Sequence, residues 1–187
     1  DVASGQDLAD ELRWVKFSGA AWAHDSSGFF YSRYDAPAAG SELEAVNYNQ
    51  KLFFHRVGTP QSSDELVYKR DDHKEWSFGA AVTEDGRWLV ISVGEGTDSR
   101  RRVFMDDLAA PGWNVTALIP EFDASFDLVE SSGDVLWFVT DLDAHAQLAE
   151  PCGHLRRRQI GPADAVPEVD QQFGDPAHAD AADAGEM

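Results

Sequence analysis

The stretch that decides the fold is Gly79-Ala-Ala-Val-Thr-Glu-Asp-Gly-Arg-Trp-Leu-Val-Ile-Ser92. It consists of a strand of small and apolar residues, a polar turn that contains Gly86, and a strongly apolar second strand. Glycine suits the turn because tight hairpins often need a positive φ, which costs glycine little. The stretch therefore predicts a β-hairpin.

The same pattern occurs once before and once after this hairpin. The copies are Ser18–Tyr31 and Phe126–Val139, and their turn glycines are Gly28 and Gly133. From 28 to 86 is 58 residues and from 86 to 133 is 47 residues, near the roughly 40 to 50 residues of a four-stranded propeller blade. A loop rich in Pro, Ala, Gly, Ser and Glu between Tyr34 and Asn49 explains the longer interval.

The repeat predicts an all-β fold: an incomplete β-propeller of about two and a half four-stranded antiparallel blades. A β-sandwich is disfavoured because it would not repeat one hairpin at blade-length intervals. The predicted domains are a lead-in segment (1–14), a partial propeller (15–143, with blades at 15–70, 71–120 and 121–143) and a tail (144–187). Strands are expected at 17–22, 29–34, 51–57, 65–69, 77–82, 88–93, 101–107, 114–119, 125–130 and 135–140.

The two ends of the chain differ from this repeat. Leu8, Leu12 and Trp14 could share one face of a helix over Gln6–Trp14. From Ala144 the chain is rich in Ala, Asp, Pro, Gln and Arg, so the third blade shows no third strand and the tail is expected to be disordered. A linker and an out-of-frame or chimeric end both remain open. The first residue is not Met, so the start is interpreted as cut or processed.

The net charge limits the classes of binding partner, and the cysteine content leaves the compartment open. The formal net charge is -19, from 34 acidic and 15 basic residues. We therefore expect neither nucleic acid nor an anionic membrane surface as a partner. Cys152 is the single cysteine, so an internal disulfide is impossible and the compartment stays open.

Several stretches resemble part of the propeller domain of a prolyl oligopeptidase, a serine peptidase that cleaves after proline in short peptides. They are Val15–Tyr31, Asn49–Thr59, Gln61–Val67 and Glu84–Ser92 followed by Glu95-Gly96. The Asn49-Gln50-Lys51 block is the most specific part of the resemblance. The resemblance covers 15–143, about two thirds of the chain, and does not extend into the tail.

The resemblance implies that a seven-bladed propeller caps an α/β-hydrolase domain, with the active site between them. This segment would then filter substrates and form part of the pocket wall. A nucleophile elbow requires Gly-x-Ser-x-Gly, and the sequence contains no such motif. We therefore predict no catalytic residue, no cofactor and no metal in this chain. The implied partners are short proline-containing peptides and the missing hydrolase domain.

Four positions match family residues that face the central cavity: Phe17, Ser77, Gly94 and Thr97. Phe17 and Ser77 match residues of the substrate's third subsite, and only Phe17 keeps the family's chemistry. Gly94 stands where the family carries an arginine, and Thr97 where some members carry cysteine. The alternative for Phe17 is a core aromatic of the innermost strand.

Other candidate residues favour structural roles. The six histidines lack metal-ligand spacing, and His24 and His55 are expected to form hydrogen bonds at strand ends. Asp25, Glu84 and Asp85 lie beside hairpin glycines, where turn hydrogen bonding is the better account. The runs Arg100–Arg102 and Arg156–Arg158 are expected to form ion pairs at the surface.

Three hypotheses follow for the function. The first is a fragment of a prolyl oligopeptidase-like serine endopeptidase that holds the substrate-gating propeller without the catalytic domain, in the cytoplasm or alternatively the periplasm. The second is a stand-alone propeller-type protein-binding module, although so few blades cannot close a ring. The third is a truncated product without a function of its own.

Overall fold

The computed structural model describes residues 1–40 and 46–142, together with the backbone of Arg156–Ile160. The described chain forms three antiparallel sheets that follow one another along the sequence. This confirms the predicted all-β class. The predicted tail lies outside the described residues, apart from one strand.

The first sheet holds four strands in sequential order: β1 (Ala21–Trp22), β2 (Gly28–Arg33), β3 (Lys51–Arg56) and β4 (Glu65–Tyr68). A short 3-10 turn, Gln61–Ser63, precedes β4. The second sheet repeats this order with β5 (Trp76–Val82), β6 (Trp88–Glu95), β7 (Arg102–Asp107) and β8 (Thr116–Ile119). Sequential four-stranded antiparallel order is the architecture of a propeller blade.

The third sheet contains β9 (Phe126–Ser132), β10 (Val135–Thr140) and β11 (Arg156–Ile160), with β10 in the middle. The expectation that the third blade has no third strand was therefore wrong. Strand β11 contains one apolar residue, Ile160, and so lacks the apolar pattern by which the other strands are recognised. Its pairing with β10 uses backbone groups, and backbone pairing places little demand on side-chain type.

The predicted helix over Gln6–Trp14 is not formed. The lead-in segment instead runs along the first sheet, where the Trp14 carbonyl accepts a hydrogen bond from the Tyr34 amide. Trp14 also has a φ of 62°, which an α-helix does not allow. Long-range contacts with the sheet thus override a helical pattern that is too short to be stable alone.

Two apolar cores lie between the sheets, and the middle sheet contributes to both. Leu89, Ile91 and Val93 pack toward the first sheet, whereas Trp88 and Val90 pack toward the third. Because β6 is buried on both faces, it reads as a continuous apolar run without alternation. The apolar run that is most conspicuous in the sequence repeat is thus the strand that packs against both neighbouring sheets.

The hairpin glycines have different roles in the structure. Gly86 and Gly133 have φ values of 74° and 59°, as predicted. Gly28 does not, and Ser26 takes the positive φ of 59° in that hairpin. A Cβ at Gly28 would lie 2.2 Å from the His55 carbonyl oxygen and 2.6 Å from the Phe54 ring. Gly28 is therefore required by the close approach of β3 rather than by turn geometry.

Candidate functional site

The predicted pocket residues lie at one end of the first two sheets, which we call the rim. The rim comprises the segment Lys16–Ser18 before β1, the start of β5 and the turn after β6. Trp76 pairs with Glu95 at the start of β5, so that the beginning of β5 and the end of β6 meet here. The rim is thus built from chain segments far apart in sequence.

Ser77 and Gly94 are brought together as cross-strand partners in the β5–β6 ladder. The Ser77 hydroxyl lies 3.4 Å from the Gly94 carbonyl oxygen and donates a hydrogen bond to it. Thr97 is exposed in the turn that follows, next to Gly96 with its φ of 55°. Three of the four predicted positions therefore occupy a single patch of the rim.

Arg101 supplies a guanidinium group at this patch, a role beyond the surface ion pair predicted for the run Arg100–Arg102. Its Cζ lies 3.4 Å from the point where a Cβ of Gly94 would be. The guanidinium donates hydrogen bonds to the carbonyls of Asp98 and Arg100. The position at which the resemblance implies an arginine is thus a glycine, and a neighbouring arginine fills the space. The sequence feature that could have indicated Arg101 is the run of three arginines that follows Thr97.

Phe17 is 79% exposed and has a φ of 54°. The alternative of a core aromatic is therefore wrong for this structure. A non-glycine residue with a bulky side chain is uncommon in the left-handed region. Strained backbone of this kind clusters at functional sites, which makes Phe17 a candidate on grounds independent of the resemblance.

A cavity of about 220 Å³ shares Lys16 with the rim and is lined by the lead-in segment and by described residues of the connection between β2 and β3. Sequence reasoning did not find it, because its walls come from separate segments. At its edge Lys16 Nζ donates a 3.0 Å hydrogen bond to Asn47 Oδ1. It contains none of the four predicted positions. Its walls are formed by Trp14, Lys16, Tyr34, Asp35, Pro37, Val46, Asn47, Tyr48 and Asn49.

A buried polar cluster lies on the outer face of the first sheet, centred on His55. Its Nδ1 lies 2.7 Å from Asp64 Oδ1 and its Nε2 lies 2.9 Å from Asp10 Oδ1. Asp64 also accepts a 2.6 Å hydrogen bond from the Tyr31 hydroxyl. Since Asp10 belongs to the lead-in segment, this cluster joins that segment to the sheet.

The pKa values in the cluster follow from this geometry. Burial alone would lower the pKa of His55, but hydrogen bonds and negative charge from Asp64 and Asp10 outweigh burial and raise it. The hydrogen bond from His55 lowers the pKa of Asp10. Burial and the hydrogen bond to Asp64 raise the pKa of Tyr31 to about 12. The cluster is therefore an ion-paired network that holds the lead-in segment against the first sheet.

The turn carboxylates behave as expected. Asp25 accepts a hydrogen bond from the Ser27 amide, and Asp85 accepts hydrogen bonds from the Thr83 hydroxyl and the Arg87 amide. Hydrogen bonds from the Ser27 hydroxyl and amide lower the pKa of Asp25, and those from the Thr83 hydroxyl and the Arg87 amide lower the pKa of Asp85. Turn hydrogen bonding is thus confirmed for Asp25 and Asp85.

The arginine run after β6 takes part in ion pairs, as predicted for Arg100 and Arg102. Arg100 pairs with Asp98 at 2.6 Å and Arg102 approaches Glu121 at 4.0 Å. The second predicted run, Arg156–Arg158, lies in strand β11.

The described residues contain neither a metal-ligand cluster nor a helix suited to cross a membrane. No group of three or more His, Cys, Asp or Glu side chains there is placed to hold a metal ion. In that same part of the chain, no helix has both the length and the apolar character needed to cross a membrane.

Comparison with protein families gives one match over most of the chain. Residues 1–150 match the family model described as prolyl oligopeptidase, N-terminal beta-propeller domain. The chain is 39% identical to a prolyl endopeptidase of Elizabethkingia meningoseptica, over 77% of this chain and 20% of the relative. It is 32% identical to prolyl oligopeptidase A of Amanita bisporigera, over 86% of this chain and 22% of the relative. The chain thus spans about a fifth of the length of these relatives.

Solved structures agree with the sequence comparison. A structure from a study of two prolyl endopeptidases is 38% identical and superimposes with a TM-score of 0.73, covering 89% of this chain and 22% of its own. Prolyl oligopeptidase B from Galerina marginata, bound to a 35mer hydrolysis and macrocyclization substrate, is 28% identical with a TM-score of 0.69, covering 88% and 24%. The sheet order, the hairpin repeat and these likenesses agree, and the chain belongs to the prolyl oligopeptidase family as part of its N-terminal β-propeller domain.

Proposed function

We propose that this chain is the substrate-gating part of a prolyl oligopeptidase-like serine endopeptidase that cleaves after proline in short peptides. The catalytic serine, histidine and aspartate are supplied from outside these 187 residues. The observation that carries the proposal is the rim, where Ser77 and Gly94 are cross-strand partners, Thr97 lies in the turn that follows, and Phe17 is exposed.

The rim has the chemical groups that a peptide requires. The Phe17 ring offers an apolar surface, on which a peptide side chain would lose contact with water. At the same end of the sheets the Ser77 hydroxyl donates to the Gly94 carbonyl, and the Arg101 guanidinium lies against Gly94, so polar groups are also part of the rim. Apolar surface with a few placed polar groups is the usual composition of a ligand site.

Catalysis is assigned elsewhere because the sequence contains no Gly-x-Ser-x-Gly motif for a nucleophile elbow. Acyl transfer by a serine requires a nucleophile, a base and an oxyanion hole within hydrogen-bond reach of one another. The imidazole of His55 is enclosed by two carboxylates, and its ring nitrogens face those carboxylates instead of a serine hydroxyl. The gate and the chemistry therefore reside in different parts of the enzyme.

Hydrolysis by the isolated chain is the first test. We expect no release of fluorophore from a proline-containing fluorogenic peptide incubated with the 187-residue chain. Cleavage that a serine-peptidase inhibitor abolishes would show that the chemistry lies in this chain, and the division proposed here would be wrong.

Peptide binding tests the gate itself. We expect Phe17→Ala to weaken binding of a proline-containing peptide by about tenfold, since partial burial of an aromatic ring contributes about 1.4 kcal/mol. Isothermal titration calorimetry measures the affinity. Leu66→Ala is the matched control, because Leu66 is an exposed apolar side chain on the peripheral strand β4. Equal affinities for the wild-type and Phe17→Ala chains would count against the proposed site.

A further inference from the structure

The strained backbone at Phe17 is held in place from both sides. A buried amide, Gln50, donates from Nε2 to the Lys16 carbonyl at 3.0 Å. On the other side of Phe17, the Ser18 hydroxyl accepts a 2.7 Å hydrogen bond from the Ser32 amide. Both neighbours of Phe17 are therefore fixed to the first sheet.

Gln50 and Ser32 also hold the backbone of Phe78, next to Ser77. Gln50 Oε1 accepts a 2.6 Å hydrogen bond from the Phe78 amide, and the Ser32 hydroxyl donates a 2.7 Å hydrogen bond to the Phe78 carbonyl. Strand β5 is an edge strand of its sheet, so backbone groups on its free side need partners from elsewhere. Two side chains of the neighbouring sheet provide them.

Gln50 and Ser32 are each 1% exposed. A buried amide that donates at one end and accepts at the other has its geometry determined by both partners. Asn49 presents Gln50 by adopting a φ of 58°, which asparagine tolerates better than most residues, and its amide donates to the Lys74 carbonyl at 2.7 Å. The connection between the two sheets is thus short and fully hydrogen-bonded.

We propose that Gln50 and Ser32 are positioning residues that hold Phe17 and Ser77 at a constant separation and orientation across the junction of the first two blades. The inference rests on the proposed function of the rim and adds the residues that determine its shape. Neither residue needs to touch the peptide. Each acts through the backbone on either side of the residues that do.

Gln50→Glu separates the two halves of this connection. A carboxylate still accepts from the Phe78 amide but cannot donate to the Lys16 carbonyl. We expect the order parameter of the Phe17 amide in 15N relaxation to fall from about 0.85 to below about 0.6 at neutral pH, while hydrogen exchange at Phe78 stays slow. Peptide affinity should fall by about tenfold, as for Phe17→Ala.

Acid should restore the connection in this variant. A buried carboxyl group has a raised pKa, and once protonated it donates a hydrogen bond again. The order parameter at Phe17 should therefore recover as the pH is lowered to about 5. Gln61→Glu is the matched control, because Gln61 is an amide that bridges Arg13 and Tyr31 away from the rim. It should leave the order parameter of Phe17 unchanged.

A purely structural role for Gln50 would lower the free energy of unfolding without loosening Phe17 alone. Should Gln50→Glu fail to fold, Ser18→Ala removes the acceptor on the other side of Phe17 from a half-exposed position. Unchanged order parameters at Phe17 in the folded variants would overturn the inference, as would unchanged peptide affinity where Phe17 has loosened. If Phe17→Ala binds the peptide as tightly as the wild-type chain does, the proposed function of the rim is wrong. The positioning role of Gln50 and Ser32 is tested separately, because the order parameters are measured without peptide.

Discussion

His55 is a fully buried ring whose two nitrogens both face carboxylate oxygens. A neutral imidazole carries one N–H and carboxylates only accept, so the doubly protonated ring alone satisfies Asp10 and Asp64 together. The pKa of His55 is raised for the same reason, since the two carboxylates favour the protonated ring. This residue therefore gives the fold a dependence on pH that a hydrogen-bond count would not show.

The sign of that dependence follows from linkage. The protonated ring stabilises the folded state fully below the ordinary pKa of about 6.5, and the contribution is lost as the pH rises through the raised pKa. We expect the free energy of unfolding, from urea titrations, to fall as the pH rises above about 6.5. His55→Gln should flatten this fall, whereas His24→Gln, a ring packed on Gly86, should not. A wild-type chain equally stable across that range would contradict the assignment.

At the scale of elements, each hairpin packs on the next one. A Cβ at Gly86 would lie 2.4 Å from the Cβ of His24 in the preceding hairpin, and the Trp88 indole donates to the Gly133 carbonyl at 3.1 Å. Repeat architectures derive stability from such contacts between neighbours. The hairpin turn is therefore an interface as well as a reversal of the chain.

Gly86 and Gly133 form a matched pair that isolates this interface. Both have positive φ, but a Cβ at Gly133 would meet nothing within 4 Å. Alanine at either position costs the strain of a left-handed backbone, and at Gly86 it also collides with His24. We expect Gly86→Ala to lower the free energy of unfolding by about 1 to 3 kcal/mol more than Gly133→Ala. Combining it with His24→Gly should remove most of the difference, and equal effects of the two glycine substitutions would refute the interface.

At the scale of the whole molecule, the middle sheet packs against another sheet on both faces, whereas among the described residues the first and third sheets each pack against one sheet. Trp22 and Leu66 of the first sheet are 52% and 42% exposed, and Val129 of the third sheet is 54% exposed. Propellers protect their apolar faces and strand edges by closing the ring. In the described part of the chain these three apolar side chains remain in contact with water.

We therefore expect the isolated chain to self-associate, which light scattering coupled to size-exclusion chromatography measures. Leu66→Glu and Val129→Glu should shift the chain toward monomer by placing charge on the open faces. Val2→Glu, a fully exposed change in the lead-in segment, is the control. A compact, cooperatively unfolding wild-type monomer would contradict this expectation and favour a stand-alone binding module.

Much of the fold could be predicted from the sequence because the hairpin repeat is a local signal. Alternation, turn residues and the distance between glycines depend on neighbours in the chain, and they located strands β2 to β10 to within about two residues. The Asn49-Gln50-Lys51 block indicated the family, and the structure supplies its reasons. Asn49 turns the chain, Gln50 joins the sheets and Lys51 pairs with Asp35.

The tertiary structure alone decided the rest, because those features depend on residues distant in sequence. No local pattern shows that the His55 carbonyl lies too close to Gly28 for a Cβ, or that Arg101 fills the space beside Gly94. Nor does a local pattern show that the lead-in segment is non-helical and contacts His55. Strand β11 was missed for the same reason, since backbone pairing selects it without an apolar pattern. The sequence by itself thus determined the repeat and the family. Long-range hydrogen bonds and packing decided how the rim is held.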